Sequence, residues 1–349
     1  MKYLSHVFSL LVFSFVASAG MALAQVASVF ELEGTATASP AVAPGSPAAT
    51  GRTLRKGDNV NQGETITTGP RSSIVLRFLD GQIVSLAGNS TFSITTYTYN
   101  TANPAQSNVL LSLINGGMRA VTGLIGKARP QAVAYRAAGA TIGIRGTDVS
   151  IAVNGGTLIL NTNTGLISFT PAATTANPNP TPISVVAGQG VFSVSDGPIG
   201  AGATVTVGNP AAIQAALAAA IAQNPAAAAE VATIAAVIVA VVPFNSPTAN
   251  AVRNAVQSSA AVTAAFNVTI NEIFPRPLRP VVATPGQQGT RTTVSTLGTS
   301  IAEQNQLIPR ALVVPPPANT GTGSAVGGSG GTPLNCNVVS PATKPAGCP

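Results

Sequence analysis

The sequence predicts a mainly β chain, arranged as a short-strand solenoid, sandwich or barrel, followed by a small Ala-rich helical region and a disordered tail. Three observations predict it. Between residues 25 and 200, runs rich in Val, Ile, Leu and Thr recur at a spacing of roughly eight to twelve residues, punctuated by Gly, Asn and Asp. From Asn209 these give way to Ala-rich runs opened by Asn-Pro or Ser-Pro, and from Pro275 to Pro, Gly, Thr and Ser. The 349 residues include 35 Gly, 27 Pro and no Trp, so only part of the chain is expected to pack. The organisation read from this is a signal peptide at 1–24, an all-β domain at 25–200, helical repeats at 205–272 and a tail at 273–349.

Lys2, the apolar run from Val7 to Val16 and the small residues ending Ala22-Leu23-Ala24 read as a secretory signal cleaved after Ala24. The run is too short to span a bilayer core of about 30 Å. The chain is therefore expected to be exported, to the periplasm or to the outside and the cell surface. Loss of Lys2 leaves 16 basic against 10 acidic side chains. Five of the bases lie beyond residue 272, but they are neither dense nor interleaved with aromatics, so nucleic-acid binding is not expected.

Residues 26–33 read as a first strand and 34–51 as an Ala/Pro/Ser-rich surface loop. Gly57, Gly63 and Gly69 then punctuate Thr/Ile-rich segments, which suits very short strands and tight corners. The clearest hairpin is S-I-V-L-R-F-L, Asp80-Gly81, Q-I-V-S-L, where Asp-Gly fits a type I′ turn. Ile74, Leu76 and Phe78 share one face of it, with Arg77 on the other. Residues 91–99 make a Thr/aromatic strand. Further turns are expected at Asn115-Gly116-Gly117, Asn154-Gly155, Thr164-Gly165 and around Gly188-Gln189-Gly190, with Lys127 and Arg129 in a loop.

Four segments in order carry a family resemblance: G-D-N-V-N-Q-G-E-T-I-T-T-G (57–69), S-I-V-L-R-F-L-D-G-Q-I-V-S-L (73–86), S-L-I-N-G-G-M-R-A-V (112–121) and T-I-G-I-R-G-T-D-V (141–149). Together they resemble the FecR domain over about residues 51–195. Membrane-anchored members of that family are periplasmic regulators of iron-siderophore signalling. Those that regulate sigma factors resemble one another in a cytoplasmic segment and a transmembrane helix before the domain. This sequence reads as having neither, so anti-sigma activity is not carried over. The resemblance implies the fold, an exported location and, by analogy, a sensing or binding role.

Within T-I-G-I-R-G-T-D-V, Arg145, Asp148 and Thr147 are the candidate ligand or partner contacts. A guanidinium can grip a carboxylate or phosphate bidentately, and Gly143 and Gly146 would let a ligand approach the backbone. The plainer expectation is that Arg145 pairs with Asp148, Asp80 or Glu64 to fix strand register, with Asp80, Gly81, Gly143 and Gly146 as structural turns. Thr147 lacks a base, because the only His, His6, leaves with the signal. A glycosidase-like carboxylate pair would have to come from Asp58, Glu64, Asp80 and Asp148, each beside a Gly corner. Catalysis, cofactors and a metal site are not expected.

Asn209-Pro210, Asn224-Pro225 and Ser246-Pro247 read as capped helix starts of a compact bundle over 208–266. Its apolar surface could support self-association, and Val231–Val242 is too short to span a membrane. Cys336 and Cys348 are a candidate disulfide within a tail too poor in apolar residues to order itself. The function expected is a non-enzymatic exported protein that binds or senses an envelope protein or glycan. The alternative is a structural or surface-associated protein in which the β-domain is a spacer and the helices assemble.

Overall fold

The computed structural model describes residues 24–41, 50–195, 203–243 and 246–274. Most of the expected signal segment, and the tail with Cys336 and Cys348, lie outside the described residues. The mainly β expectation holds: fifteen strands form one hydrogen-bonded sheet. They are β1 (Gln25–Glu33), β2 (Ala36–Ser39), β3 (Arg52–Thr53), β4 (Asn59–Asn61), β5 (Thr65–Thr68), β6 (Ser73–Phe78), β7 (Ile83–Leu86), β8 (Thr91–Thr98), β9 (Asn108–Val121), β10 (Val133–Ala137), β11 (Ala140–Asn154), β12 (Thr157–Thr170), β13 (Ile183–Val186), β14 (Gly190–Val194) and β15 (Thr204–Gly208).

Three long strands, β9, β11 and β12, each change partners part-way along. The first half of β9 pairs with β8 and with β10 in parallel, and its second half pairs with β7 and β11. The start of β11 pairs with β10 and the end of β12, which also holds β13. The end of β11 pairs with β9 and the start of β12, which also holds β14. The pairings therefore divide the sheet into two layers. A front layer runs β3-β2-β5-β8-β9-β10-β11-β12-β13, and a back layer runs β4-β1-β6-β7-β9-β11-β12-β14-β15. One core lies between them: Phe92, Leu111, Tyr135, Ile142 and Phe169 from the front meet Leu76, Val84, Met118, Ile151 and Leu158 from the back. Of the architectures left open by the sequence, the pairings build the sandwich.

Several expected turns are bends within these strands. Asn115-Gly116-Gly117 lies inside β9 and Thr164-Gly165 inside β12, with Gly116 at φ +87 and Gly165 at φ +80. A Cβ on Gly116 would stand 2.5 Å from the Ser90 backbone, so the bend needs glycine for space as well as for φ. The 34–51 segment is not all loop: Ala36 and Ala38 face the core and Thr37 and Ser39 face out, a period of two hidden by small side chains. The Lys127 loop holds a short helix, α1 (Leu124–Ala128).

At the Asp80-Gly81 hairpin, Ile74, Leu76 and Phe78 enter the core as expected. The turn differs. Phe78 N–H donates to Gln82 O, leaving three residues in the loop, and only Gly81 has positive φ. A two-residue turn with both central residues at positive φ does occur at Ala138-Gly139, φ +46 and +76, joining β10 to β11. A two-residue loop also joins β11 to β12, through Gly155 and Gly156.

Four helices follow: α2 (Pro210–Gln223), α3 (Ala228–Val241), α4 (Pro247–Val256) and α5 (Ala260–Ile273). Asn209 and Ser246 cap α2 and α4 by accepting from Ala212 N–H and Ala249 N–H. At the second expected start, Pro225–Ala227 forms a 3-10 turn before α3. The helices share a second core with the outer side of the back layer, where Ile234, Ile238 and Ile213 pack with Ala152, Ile159 and Phe192. A Cβ on Gly117 would lie 2.7 Å from Val237 Cγ1, which shows how closely α3 lies on β9. No single described helix is long and apolar enough to cross a membrane, and α3 buries its apolar run from Val231 to Val241 almost entirely.

Candidate functional site

The T-I-G-I-R-G-T-D-V stretch occupies the part of β11 that crosses between layers. Across the β11–β12 ladder Arg145 faces Leu166 and Asp148 faces Thr164, so Gly146 and Thr147 stand opposite Gly165 alone. That is a β-bulge, and its extra residue re-aims the side chains on either side. Gly146 sits at φ +59 in the bulge, and Gly143 lies in regular strand opposite Ala134 and Ser168. Neither glycine is a turn.

The bulge separates the charged pair. Arg145 is exposed on the front layer, and among the described residues it has no ion-pair partner. Asp148 instead accepts both arms of a fork from Arg119 on β9, Nε to Oδ1 at 2.9 Å and Nη2 to Oδ2 at 2.7 Å. The side chains are only 12% and 16% exposed. The register explains the choice: Asp148 pairs with Val121 and Ser150 with Arg119, which places the guanidinium diagonally beside the carboxylate. Glu64 is likewise taken, by Arg52 at 2.9 Å. Of the three acids expected to hold Arg145, two have other arginines and the third, Asp80, is buried elsewhere.

From Asp148 a polar chain leads into the helices. Asn163 Nδ2 donates to Asp148 Oδ1 at 3.0 Å and to Ser150 Oγ at 3.1 Å, and Ser150 Oγ donates to Val241 O at the end of α3. Asn161 donates to Asn163 Oδ1 and accepts from Thr248 of α4. Thr147 turns inward, 3% exposed, where its N–H donates to Thr122 Oγ1 and its carbonyl accepts from Thr122 N–H and Oγ1. The sequence named Asp148 and Thr147 but missed Arg119, Asn161 and Asn163. Arg119 shows in the sequence as a lone charge in an apolar strand, and Asn161 and Asn163 as alternate members of the polar run N-T-N-T.

Asp80 is more than a turn residue. It is 1% exposed, and its carboxylate accepts from Tyr97 Oη at 2.9 Å, Gln82 N–H at 3.1 Å and Ile125 N–H at 3.2 Å. Its carbonyl accepts from Leu124 N–H, so one residue satisfies two free N–H groups at the start of α1. A Cβ on Gly123 would stand 2.3 Å from Asp80 Oδ2, which reserves that position for glycine. Tyr135 Oη donates to Gln82 Oε1. Burial, and after it the nearby Asp80 charge, pushes the phenols of Tyr97 and Tyr135 well above the usual tyrosine range.

Chemically, then, both aspartates are satisfied internally: that of R-G-T-D by Arg119 and that of D-G by donors around α1. Residues 64–168, which contain both, match the family model described as FecR protein. This segment is similar to the FecR family. It runs from Glu64, just before β5, into β12, so α1 lies within the matched part of the chain and α2–α5 lie outside it. No curated protein matches the chain. Two crystal structures of a candidate anti-sigma factor from Parabacteroides distasonis are similar to it at 10% identity, with TM-scores of 0.31 and 0.32. Each alignment covers 42% of this chain and 59% of that one, so the match spans less than two thirds of their length.

Cavities among the described residues include two beside the matched segment. One of about 780 Å³ lies under the arch that follows β12, lined by Pro171, Thr174, Asn177, Ile183 and Val205 among others. The other, of about 140 Å³, lies between α1 and the loop after β8, lined by Tyr99, Ser107, Leu124 and Arg129 among others. Neither contains Asp80, Thr147 or Asp148. Among the described residues no group of three or more His, Cys, Asp or Glu could hold a metal.

Proposed function

We propose that this is an exported, non-enzymatic FecR-domain protein that binds or senses a component of the cell envelope. The match of residues 64–168 to the FecR family carries the proposal and supports a regulatory or sensing role. Two structural points support it further. Strand β1 begins at Gln25, so cleavage after Ala24 removes no residue of the sheet. Thr147, Asp148 and Asp80 are each engaged by other groups of the fold, whereas Arg145 is exposed and available to a partner.

N-terminal sequencing of the protein recovered from the extracytoplasmic fraction tests export: a start at Gln25 is expected, and an uncleaved chain confined to the cytoplasm sinks the idea. Cross-linking and pull-down from envelope extracts test binding. A reproducible protein or glycan partner is expected, and its repeated absence would count against the reading.

A further inference from the structure

The two faces of the sandwich are finished differently. Helices α2–α5 cover the β9, β11, β12, β14 and β15 part of the back layer, while the front layer turns a polar surface outward whose side chains are exposed or half-exposed. Strand pairing aligns that surface in rows. Thr65, Ser93, Ser112, Arg136, Thr141 and Thr170 are consecutive cross-strand partners from β5 to β12. Six strands at about 4.8 Å make a row about 24 Å long. A second row holds Thr37, Thr67 and Thr91. Directly paired residues share a face, so all these hydroxyls point the same way.

Charge is placed on this face with one sign. The front-layer strand segments contain no Asp or Glu, yet Arg136 and Arg145 both stand exposed on adjacent strands, and neither has an ion-pair partner among the described residues. Arg136 is opposite Thr141, so Arg145 lies four residues further on, about 13 Å along the strand. The aromatics of these strands, Phe92, Tyr97, Tyr135 and Phe169, all point into the core, which leaves nothing outward for bases to stack on. The strongly exposed hydrophobics are Ile114 and Val186, on β9 and β13 with three strands between them, so the face lacks the central apolar anchor of a protein interface.

We infer that the outer face of the front layer binds an acidic polysaccharide chain, with Arg136 and Arg145 gripping its carboxylates and the Thr/Ser rows hydrogen-bonding its hydroxyls. This rests on the reading of the protein as an envelope-binding FecR-domain protein and names the chemistry of its ligand. A guanidinium presents two parallel donors to a carboxylate, and surface hydroxyls both donate and accept, as sugar hydroxyls do. An extended chain suits a row that crosses six strands better than a cavity would.

The test uses the mature chain, Gln25–Pro349, with alginate as a polyuronate and dextran as its neutral counterpart, followed by affinity electrophoresis. Retardation by alginate and none by dextran is expected, with weakening at high salt. The double variant Arg136→Gln, Arg145→Gln should lose about tenfold in affinity with an unchanged circular dichroism spectrum. Arg77→Gln, which removes an exposed charge from the back layer, should bind as the parent does. The proposal is overturned by equal retardation in dextran, by no retardation in alginate, by full binding in the double variant, or by an equal loss with Arg77→Gln. A chain that is exported and captures an envelope protein yet ignores alginate overturns this proposal and leaves the functional reading standing. Cytoplasmic retention of the full chain overturns that reading instead.

Discussion

Arg145 and Asp148 stand three positions apart in the sequence and on different surfaces in the fold, because one extra residue in the bulge intervenes. Their substitutions should therefore differ in kind. Arg119→Ala strands the Asp148 carboxylate in a largely buried setting and should cost roughly 2–4 kcal/mol in urea unfolding, whereas Arg145→Ala should change stability by less than about 0.5 kcal/mol. Equal effects would show that the Arg119–Asp148 fork is not what holds the crossing. Tyr97 and Tyr135 give a second prediction. Their folded pKa values lie above the unfolded value of about 10, so the folded state keeps protons that the unfolded chain would release. The stability they contribute is full below pH of about 10 and falls as pH rises beyond it. Tyrosinate absorbance from these two should appear together with loss of the near-UV circular dichroism signal; its appearance in a still-folded protein would contradict their burial beside Asp80.

Individual elements show what a local signal can and cannot specify. Ala138 adopts φ +46 in the β10–β11 turn, a conformation that costs a non-glycine residue about 1 kcal/mol. Ala138→Gly or Ala138→Asn should therefore stabilise the protein by up to about 1 kcal/mol, read as a raised urea midpoint, and a loss of stability would mean that the methyl group packs usefully. Nothing in Tyr-Arg-Ala-Ala-Gly-Ala advertises that turn, so it was not read from the sequence. Asp80-Gly81, Asn209-Pro210 and Ser246-Pro247 were legible, because the hairpin or cap there depends on residues within a few positions. Asn115-Gly116 and Thr164-Gly165 looked like reversals for the same local reason and are bends. Whether a glycine at positive φ reverses a strand or only tilts it depends on which strands lie alongside, and those come from elsewhere in the chain, as Val153 opposite Gly116 and Thr91 opposite Asn115 show. Arg119 went unnoticed as the partner of Asp148 for that reason too: the two are 29 residues apart.

For the whole molecule, the boundary between β and helical regions read from composition marks a change of secondary structure within one packed body. Ala152, Ile159, Phe192 and Val194 of the back layer share their core with α2–α5. A chain ending at Gly208 would expose them as a contiguous apolar surface and should aggregate or bind a hydrophobic dye, while the chain through Phe274 stays soluble. A soluble, dye-negative 25–208 fragment would show instead that the sheet stands without its helices.

The three long strands tie the two layers to a common fate. Because β9, β11 and β12 each lend one half to the front and the other to the back, neither layer can be pulled apart while the other stays whole. Amides on Leu111 and Ile142 of the front should then exchange with deuterium through the same opening as those on Met118 and Ile151 of the back, at one shared free energy. A front layer that exchanged freely beneath a protected back would mean that the glycine bends act as hinges, and the chain would behave under tension as two sheets joined by three flexible joints.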